Sequence, residues 1–223
     1  MASQHVWAVI PAYNEGKRIG PVIRRTGKIV KNVVVVDDGS ADNTSKVAEK
    51  SGAVVLRHPL NLGKGAALKT GCDYAIKKGA KILVVLDADA QHKPEDIPRF
   101  LDAIKGTDIV FGCRGLNRKM PLVLRFGNWF IAKMTAILYG VDIPDTQTGF
   151  RAFTKSAYGK IRWSAADYSM ESEMVSLVGK HKLKYKKINI ETLYPDRYKG
   201  TTVLDGIKIV LNLLRWKIAR NGR

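Results

Sequence analysis

The sequence predicts an α/β fold, a mainly parallel sheet with helices on both faces. Three observations carry that prediction. Short β-branched runs recur through the first half of the chain, each is apolar almost without interruption, and segments of helical length lie between them. A strand covered on one face alternates apolar and polar residues, whereas a strand covered on both is apolar throughout, and parallel strands need a crossover between them.

In order, the strands are VWAVI at 6–10, NVVVVDD at 32–38, AVVLRH at 53–58, KILVVLDAD at 81–89 and DIVFG at 108–112. Between the third and fourth, Ala67, Leu68, Gly71, Cys72 and Ala75 fall on one side of a helix over 64–78, the three-and-four spacing of a helix face. The second half is less regular. It offers an apolar segment at 121–140, a loop DIPDTQTGFRAF at 142–153, a helix SMESEMVSLVGKH at 169–181, a strand KYKKINIETLYP at 184–195 and a terminal helix. No internal repeat or linker divides the chain, and 223 residues are enough for one well-buried core. One domain is therefore expected over 1–202, including 121–140, followed by an amphipathic helix at 203–223.

Hydrophobic residues make up 45% of the chain and charged residues 26%, ordinary values for a folded globular protein. The charge is not ordinary. With 38 Lys and Arg against 20 Asp and Glu, the net charge is +18, which points to a polyanionic partner: nucleic acid, an anionic membrane surface or phosphorylated small molecules. A solvated Lys-rich surface is the plainer alternative. The two cysteines, Cys72 and Cys113, form no CxxC, and no His cluster has metal-ligand spacing, so neither a disulfide framework nor a zinc site is indicated and the cytoplasm is expected. Nothing after Met1 has the charged and apolar regions of a signal peptide, and no window holds about 18 consecutive apolar residues. Two segments are nonetheless more apolar than a surface helix requires. The 121–140 segment is apolar nearly all round, interrupted by Arg125, Asn128 and Lys133; over 203–220, Val203, Ile207, Val210, Leu214 and Ile218 share one face and Ile209, Leu213 and Trp216 another. Helices of this kind, flanked by Lys and Arg, rest in a membrane interface or pack on the sheet.

Sheets of this class bind ligands beyond the carboxyl ends of their strands. There the chain places PAYNE (11–15), DDGSADNT (37–44) and DADAQ (87–91). A dinucleotide site would put glycines after the first strand; no GxxxxGK[ST] occurs, and NLGKGAAL (61–68) lacks the last glycine of GxGxxG, so hydride transfer and ATP hydrolysis lose ground. Asp87, Asp89 and Gln91 alternate, and would point to one side if strand geometry persists through them. Such a set suits a hard divalent cation that leaves room for substrate phosphates; Asp87, or else Asp89, capping the helix that opens Pro94-Glu95-Asp96 is the structural alternative. Asp37-Asp38-Gly39-Ser40 is ordinary turn chemistry, but two adjacent carboxylates can also accept hydrogen bonds from a base or ribose.

Together, PAYNE, VVVVDDGSADNT, NLGKGAALKTG, VLDADAQHKPEDI and DTQTGFRAF resemble, in order and spacing, the motifs of family 2 inverting glycosyltransferases of the GT-A fold, and within them the dolichyl-phosphate mannose and glucose synthase branch. The resemblance covers roughly residues 5–200. It implies a Rossmann-like GT-A sheet and transfer of a hexose from a GDP-mannose or UDP-glucose type donor to a polyprenyl (dolichyl) phosphate on the cytoplasmic face of a membrane. Carried over position by position, it implies that Pro11, Ala12, Tyr13, Glu15, Asp37 and Asp38, with Lys64 in the third motif, hold the nucleotide. Asp87, Ala88, Asp89 and Gln91 would place Mg²⁺ or Mn²⁺ on the diphosphate, and Asp145 with 147–151 would face sugar and acceptor. One motif departs: where the branch often shows Arg-x-x-Gly-x-Ser-Lys, this chain reads Arg197-Tyr198-Lys199-Gly200-Thr201-Thr202 and lacks the terminal lysine.

A cation held by carboxylates offsets the charge that develops on a departing diphosphate, which explains acidic loops in a basic chain. A hydroxyl acceptor would need a general base, for which Asp145 is the expected residue. A phosphate monoester, with a second pKa of about 6, is largely ionised already and needs cationic positioning instead. Arg114, Arg118, Arg125, Arg151, Arg197 and Lys199 are available for that, and Arg114, Arg151 and Arg197 stand beside the motifs. Two other functions stay open on the sequence: a family 2 transferase with a glycan or small-alcohol acceptor, and a basic nucleic-acid-binding domain. The ordered acidic motifs argue against nucleic acid. Glu171 and Glu173 could face the site, although Glu on a helix is usually in solvent.

Overall fold

The computed structural model describes residues 5–114, 122–192 and 209–217, without the side chains of 122–126 and 128. Its sheet has seven strands: β1 (Val6–Ala12), β2 (Asn32–Asp37), β3 (Val54–Arg57), β4 (Ile82–Val85), β5 (Ile109–Arg114), β6 (Arg151–Thr154) and β7 (Tyr185–Ile190), in the order β3-β2-β1-β4-β6-β5-β7. β6 runs antiparallel to β4 and β5, and the other pairings are parallel. The carboxyl ends of all strands but β6 therefore open on one edge. The register pairs Ala12 with Asp37, so the loops after β1 and β2 leave the sheet side by side.

Both faces are covered, as the unbroken apolar runs require. Val6, Ala8, Ile10, Val33, Val35 and Val84 pack under α1 (Ile19–Gly27), α2 (Thr44–Lys50) and α4 (Ile97–Ala103). Their alternate neighbours Trp7, Val9, Val34, Leu83 and Val85 pack under α3 (Lys64–Lys77), α6 (Lys155–Ile161) and α7 (Met170–Lys180). α1 shows how sequence sets a helix's orientation: Ile19, Val22, Ile23 and Thr26 are its buried positions, at the three-and-four spacing of one face.

α5 (Leu122–Tyr139) packs against α7, and α8 (209–217) lies on α5. Ile209 and Leu213 are buried with Ile131, beside Tyr139 and Trp216. The Tyr139 hydroxyl donates to the Leu213 carbonyl at 2.7 Å and Lys217 Nζ to that of Leu138 at 2.7 Å. Of the two apolar faces at the terminal helix, that of Ile209 and Leu213 is covered, while Leu211 (60% exposed) and Leu214 (38%) face outward.

Two expectations need correction. The 142–153 segment is not all loop: Arg151, Ala152 and Phe153 enter β6, a strand too short to show a period of two and opened by an arginine. Strand geometry also does not persist through the DAD motif, because β4 stops at Val85 and the chain turns at 88–90. The strand expected at 184–195 is β7, which ends at Ile190; 193–195 lie outside the described residues.

Candidate active site

At the carboxyl edge of the sheet is a cavity of about 690 Å³. The first motif contributes Pro11, Ala12, Tyr13 and Glu15 to its wall, the second Asp38 and the third Lys64. The fourth adds Asp87, Ala88, Asp89 and Gln91, and the fifth adds Gln147, Thr148 and Gly149, with Arg114 from the end of β5. Asp37, Asp145 and Arg151 do not line it. Arg197, like Arg118 and Lys199, lies outside the described residues.

Polar groups tie the loops after β1 and β2 to one another. Asn14 N–H donates to Ser40 Oγ at 2.9 Å, Glu15 N–H to Thr44 Oγ1 at 2.9 Å, and Ala41 N–H to Asn14 Oδ1 at 2.9 Å. Asn14 adopts a φ of 54°, a left-handed conformation that most side chains avoid. Asp37 is fully buried; it accepts from Ser40 N–H at 2.9 Å and from the Ser45 hydroxyl. It builds the turn and presents nothing to the cavity. Asp38 does line the cavity, and it also holds the third motif: its oxygens accept from Leu62 N–H (3.0 Å) and Gly63 N–H (2.8 Å) and pair with His58 Nδ1 (2.7 Å). Gly63 has a φ of 97°, and a Cβ there would meet the Ala166 carbonyl. That carbonyl accepts from Gly65 N–H at 2.6 Å, so the loop before α7 closes down on the start of α3.

Lys64 is the electrostatic centre of the cavity. Its Nζ lies 2.8 Å from Asp87 Oδ1 and 2.9 Å from Glu171 Oε1, and 5.6 Å from the centre of the Tyr168 ring. Burial alone would lower the lysine's pKa, but the two carboxylates outweigh it and hold the ammonium charged. Burial likewise disfavours ionised Asp87, yet Lys64 and His92 keep its pKa well below the usual carboxylate range. Asp89 differs: burial and then the Asp87 charge raise its pKa, and they outweigh the hydrogen bond from Gln91 N–H at 3.0 Å and the more distant charges of His92 and Lys64. Asp89 therefore caps its own loop and not the turn at Pro94–Asp96, whose N-cap position makes no side-chain bond. Ala90 between them has a φ of 63°, a non-glycine strain of the kind that collects at functional loops.

A divalent cation fits this donor set. Asp89 is a carboxylate short of positive charge beside a second carboxylate. Among the described residues no group of three or more His, Cys, Asp or Glu is placed to cage a metal; Asp87 and Asp89 would hold one only together with oxygens from a ligand, as Mg²⁺ is commonly held.

Arg114 and Asp145 form a two-pronged ion pair, Nε to Oδ2 at 2.6 Å and Nη2 to Oδ1 at 2.9 Å, and Asp145 also accepts from Arg114 N–H (3.1 Å) and the Thr148 hydroxyl. Burial pushes the Asp145 pKa up, but Arg114 more than offsets it and the net shift is downward. Arg151 is 1% exposed. Its guanidinium donates to the carbonyls of Thr148 (3.1 Å), Thr146 (2.7 Å) and Glu171 (3.4 Å), and lies 5.2 Å from the Phe111 ring centre. It pins the fifth motif to the start of α7, where the sequence suggested a phosphate ligand.

Of the two glutamates that the sequence left open, Glu171 is in the cavity wall, together with Tyr168 and His92, which sequence reasoning passed over. The signal for Glu171 lay in its helix: it falls among Met174, Val175 and Val178 on the apolar side, away from Ser172, Ser176 and Lys180, and the structure buries it. Glu173 is instead spent on Ser164 N–H (3.0 Å) and Ala165 N–H (2.8 Å).

Comparison with known proteins agrees with this geometry. Residues 7–162 match the family model described as Glycosyl transferase family 2. A UDP-N-acetylglucosamine–dolichyl-phosphate N-acetylglucosaminyltransferase of Methanococcus voltae is 34% identical, over 99% of this chain and 99% of its own. A polyprenol monophosphomannose synthase of Mycolicibacterium smegmatis is 34% identical, over 74% of this chain and 67% of its own. Among solved structures, glucosyl-3-phosphoglycerate synthase of Mycobacterium tuberculosis in complex with Mn²⁺ and UDP-glucose superposes with a TM-score of 0.72 at 22% identity, covering 99% of this chain and 80% of that one. That last likeness is one of fold.

Proposed function

Because the chain belongs to glycosyl transferase family 2, we propose that it moves a hexose from a nucleoside diphosphate sugar to a polyprenyl phosphate, with Mg²⁺ or Mn²⁺ held by Asp87 and Asp89. The observation that carries the acceptor is the state of Asp145. Both its oxygens are engaged by Arg114 and its pKa is depressed, so it is a poor proton acceptor, and an acceptor that needs deprotonation is ill served. A phosphate monoester brings its own ionised oxygen. The names of the relatives from Methanococcus and Mycolicibacterium support the same acceptor class.

The wall residues divide the work. Asp38 offers carboxylate oxygens to ribose or base, and Tyr13, 49% exposed at the rim, offers a ring face for a base. Asp87 and Asp89 would hold the cation, with Gln91 beside them, and the cation, when bound, offsets charge on the diphosphate. The acceptor oxygen forms its bond to the anomeric carbon as the carbon–oxygen bond to the diphosphate breaks on the opposite side, which inverts that centre. Arg114 lines the wall with its guanidinium anchored by Asp145, and in this reading it would steer the anionic acceptor.

No helix among the described residues is long and apolar enough to cross a membrane. On α5 and α8, however, Trp129 (54% exposed), Ile137 (77%) and Leu211 (60%) face outward on a chain with net charge +18. We place this surface against an anionic bilayer on its cytoplasmic side, where a polyprenyl phosphate headgroup is reached.

The test incubates the protein with labelled GDP-mannose, UDP-glucose or UDP-N-acetylglucosamine, polyprenyl phosphate and Mn²⁺. Label is expected in a solvent-extractable, mild-acid-labile product, and chelator should abolish it. Label that reaches only water or a soluble acceptor refutes the proposal.

A further inference from the structure

Glu171 is 2% exposed and lines the cavity. One of its oxygens, Oε1, is 2.9 Å from Lys64 Nζ; the other, Oε2, is buried and has no hydrogen-bond partner among the described residues. A buried carboxylate oxygen left unpaired is costly, so a donor from outside the fold is called for. Both ends of the residue are held: Arg151 Nη1 donates to the Glu171 backbone carbonyl at 3.4 Å, and Lys64 fixes the carboxylate from one side.

The chemistry of that donor follows from the surroundings. Lys64 bridges Glu171 to Asp87, so the vacant acceptor lies one ammonium away from the carboxylate that would carry the metal and diphosphate. An anionic group, whether the donor's diphosphate or the acceptor's phosphate, is repelled by a third carboxylate with no cation to spare. A neutral hydroxyl satisfies Oε2 without adding charge, and a carboxylate paired with hydroxyls is strongly selective for substrates that carry them. Resting on the transferase function proposed above, the geometry points to Glu171 Oε2 as the acceptor for one hydroxyl of the transferred sugar, making Glu171 a specificity-determining residue and Lys64 its positioning partner.

Calorimetric binding on the full chain with Mn²⁺ tests this without any acceptor lipid. In Glu171→Gln, affinity for the bare nucleoside diphosphates UDP and GDP is expected within about twofold of the parent, while affinity for the matching nucleotide sugar falls about 10- to 100-fold, the range for a lost hydrogen bond to a charged group. On the parent, one monodeoxy analogue of that nucleotide sugar should lose a similar factor, and Glu171→Gln should lose no more with that analogue. A variant that binds the nucleotide sugar as the parent does, that loses the bare diphosphate equally, or that loses independently of every deoxy position overturns the inference and leaves the transferase reading standing. If Glu171→Gln fails to fold, the parent and its analogues decide alone: a parent indifferent to every single hydroxyl overturns it. A parent that binds none of UDP-glucose, UDP-N-acetylglucosamine and GDP-mannose overturns both.

Discussion

Substituting Asp145 by Asn separates two roles that the sequence leaves joined. The carboxylate is 6% exposed and takes both prongs of Arg114, at 2.6 and 2.9 Å, plus the Arg114 N–H and the Thr148 hydroxyl. Removing one member of a buried, hydrogen-bonded ion pair costs about 3–5 kcal/mol. The Arg114 side chain keeps 15% exposure, so about 3 kcal/mol is the better figure, or roughly 6–12 °C in Tm for a chain of this size. The pH dependence has a definite sign. Asp145 has a folded pKa below its unfolded value of about 3.9, so its contribution is complete above that value and is lost as pH falls through the folded pKa. The gap between parent and variant should therefore be constant around neutrality and close in acid. Urea unfolding across a pH series measures the gap, and pH–rate profiles toward polyprenyl phosphate accompany it. If Asp145→Asn unfolds like the parent, yet loses roughly 10²–10⁴ in kcat together with the acidic limb of the profile, Asp145 is a general base and this account of it fails.

Other perturbations probe the cavity and the outer surface. A Cβ on Gly149 would sit inside contact distance of both Asp87 carboxylate oxygens, so Gly149→Ala should lower affinity for UDP with Mn²⁺ at least about tenfold, at the loss of an interaction with a charged group; parent-like calorimetry would show that Asp87 does not hold the cation. Lys64→Met strands Asp87 and Glu171 without their shared cation, and should destabilise by about 3 kcal/mol at neutral pH; because Asp87's depressed pKa is largely Lys64's doing, the deficit should shrink as pH falls through the carboxylate range, and a pH-independent deficit would contradict that. Ile137→Ser with Leu211→Ser, at positions 77% and 60% exposed, should leave Tm within about 2 °C and reduce flotation on acidic liposomes by tenfold or more, since each side chain stands to bury about 1.5–3 kcal/mol of apolar surface; unchanged flotation would move the membrane contact elsewhere.

The fold was legible wherever periodicity carried one message. Val33 to Val36 can only be a strand covered on both faces, and the structure buries all four. The sequence was silent where a residue's neighbours come from far along the chain. β6 has four residues and opens with an arginine, and it is a strand only because β4 and β5 each leave an edge for it. The terminal helix shows the same limit from the other side: two apolar faces were visible, but which one is covered depended on Ile131 and Tyr139, some 70 residues away.

At the site, the motifs marked the right loops without dividing their labour. Asp37 and Asp38 are adjacent and chemically identical, yet one is consumed by Ser40 and Ser45 while the other reaches the cavity and fastens Leu62 and Gly63, because successive residues leaving a strand point to opposite sides. Arg151 and Glu171 invert the usual expectation for charged residues. Both are almost wholly buried, and each makes the other's position tenable: the arginine spends its donors on carbonyls of the fifth motif and of Glu171 itself, and Glu171 with Asp145 keeps that guanidinium from being an isolated buried cation. A charge is buried at such cost only where partners are arranged in three dimensions. For that reason the residues hardest to read from sequence are those like Arg151 and Glu171, whose charges are made tenable by partners from distant segments of the chain.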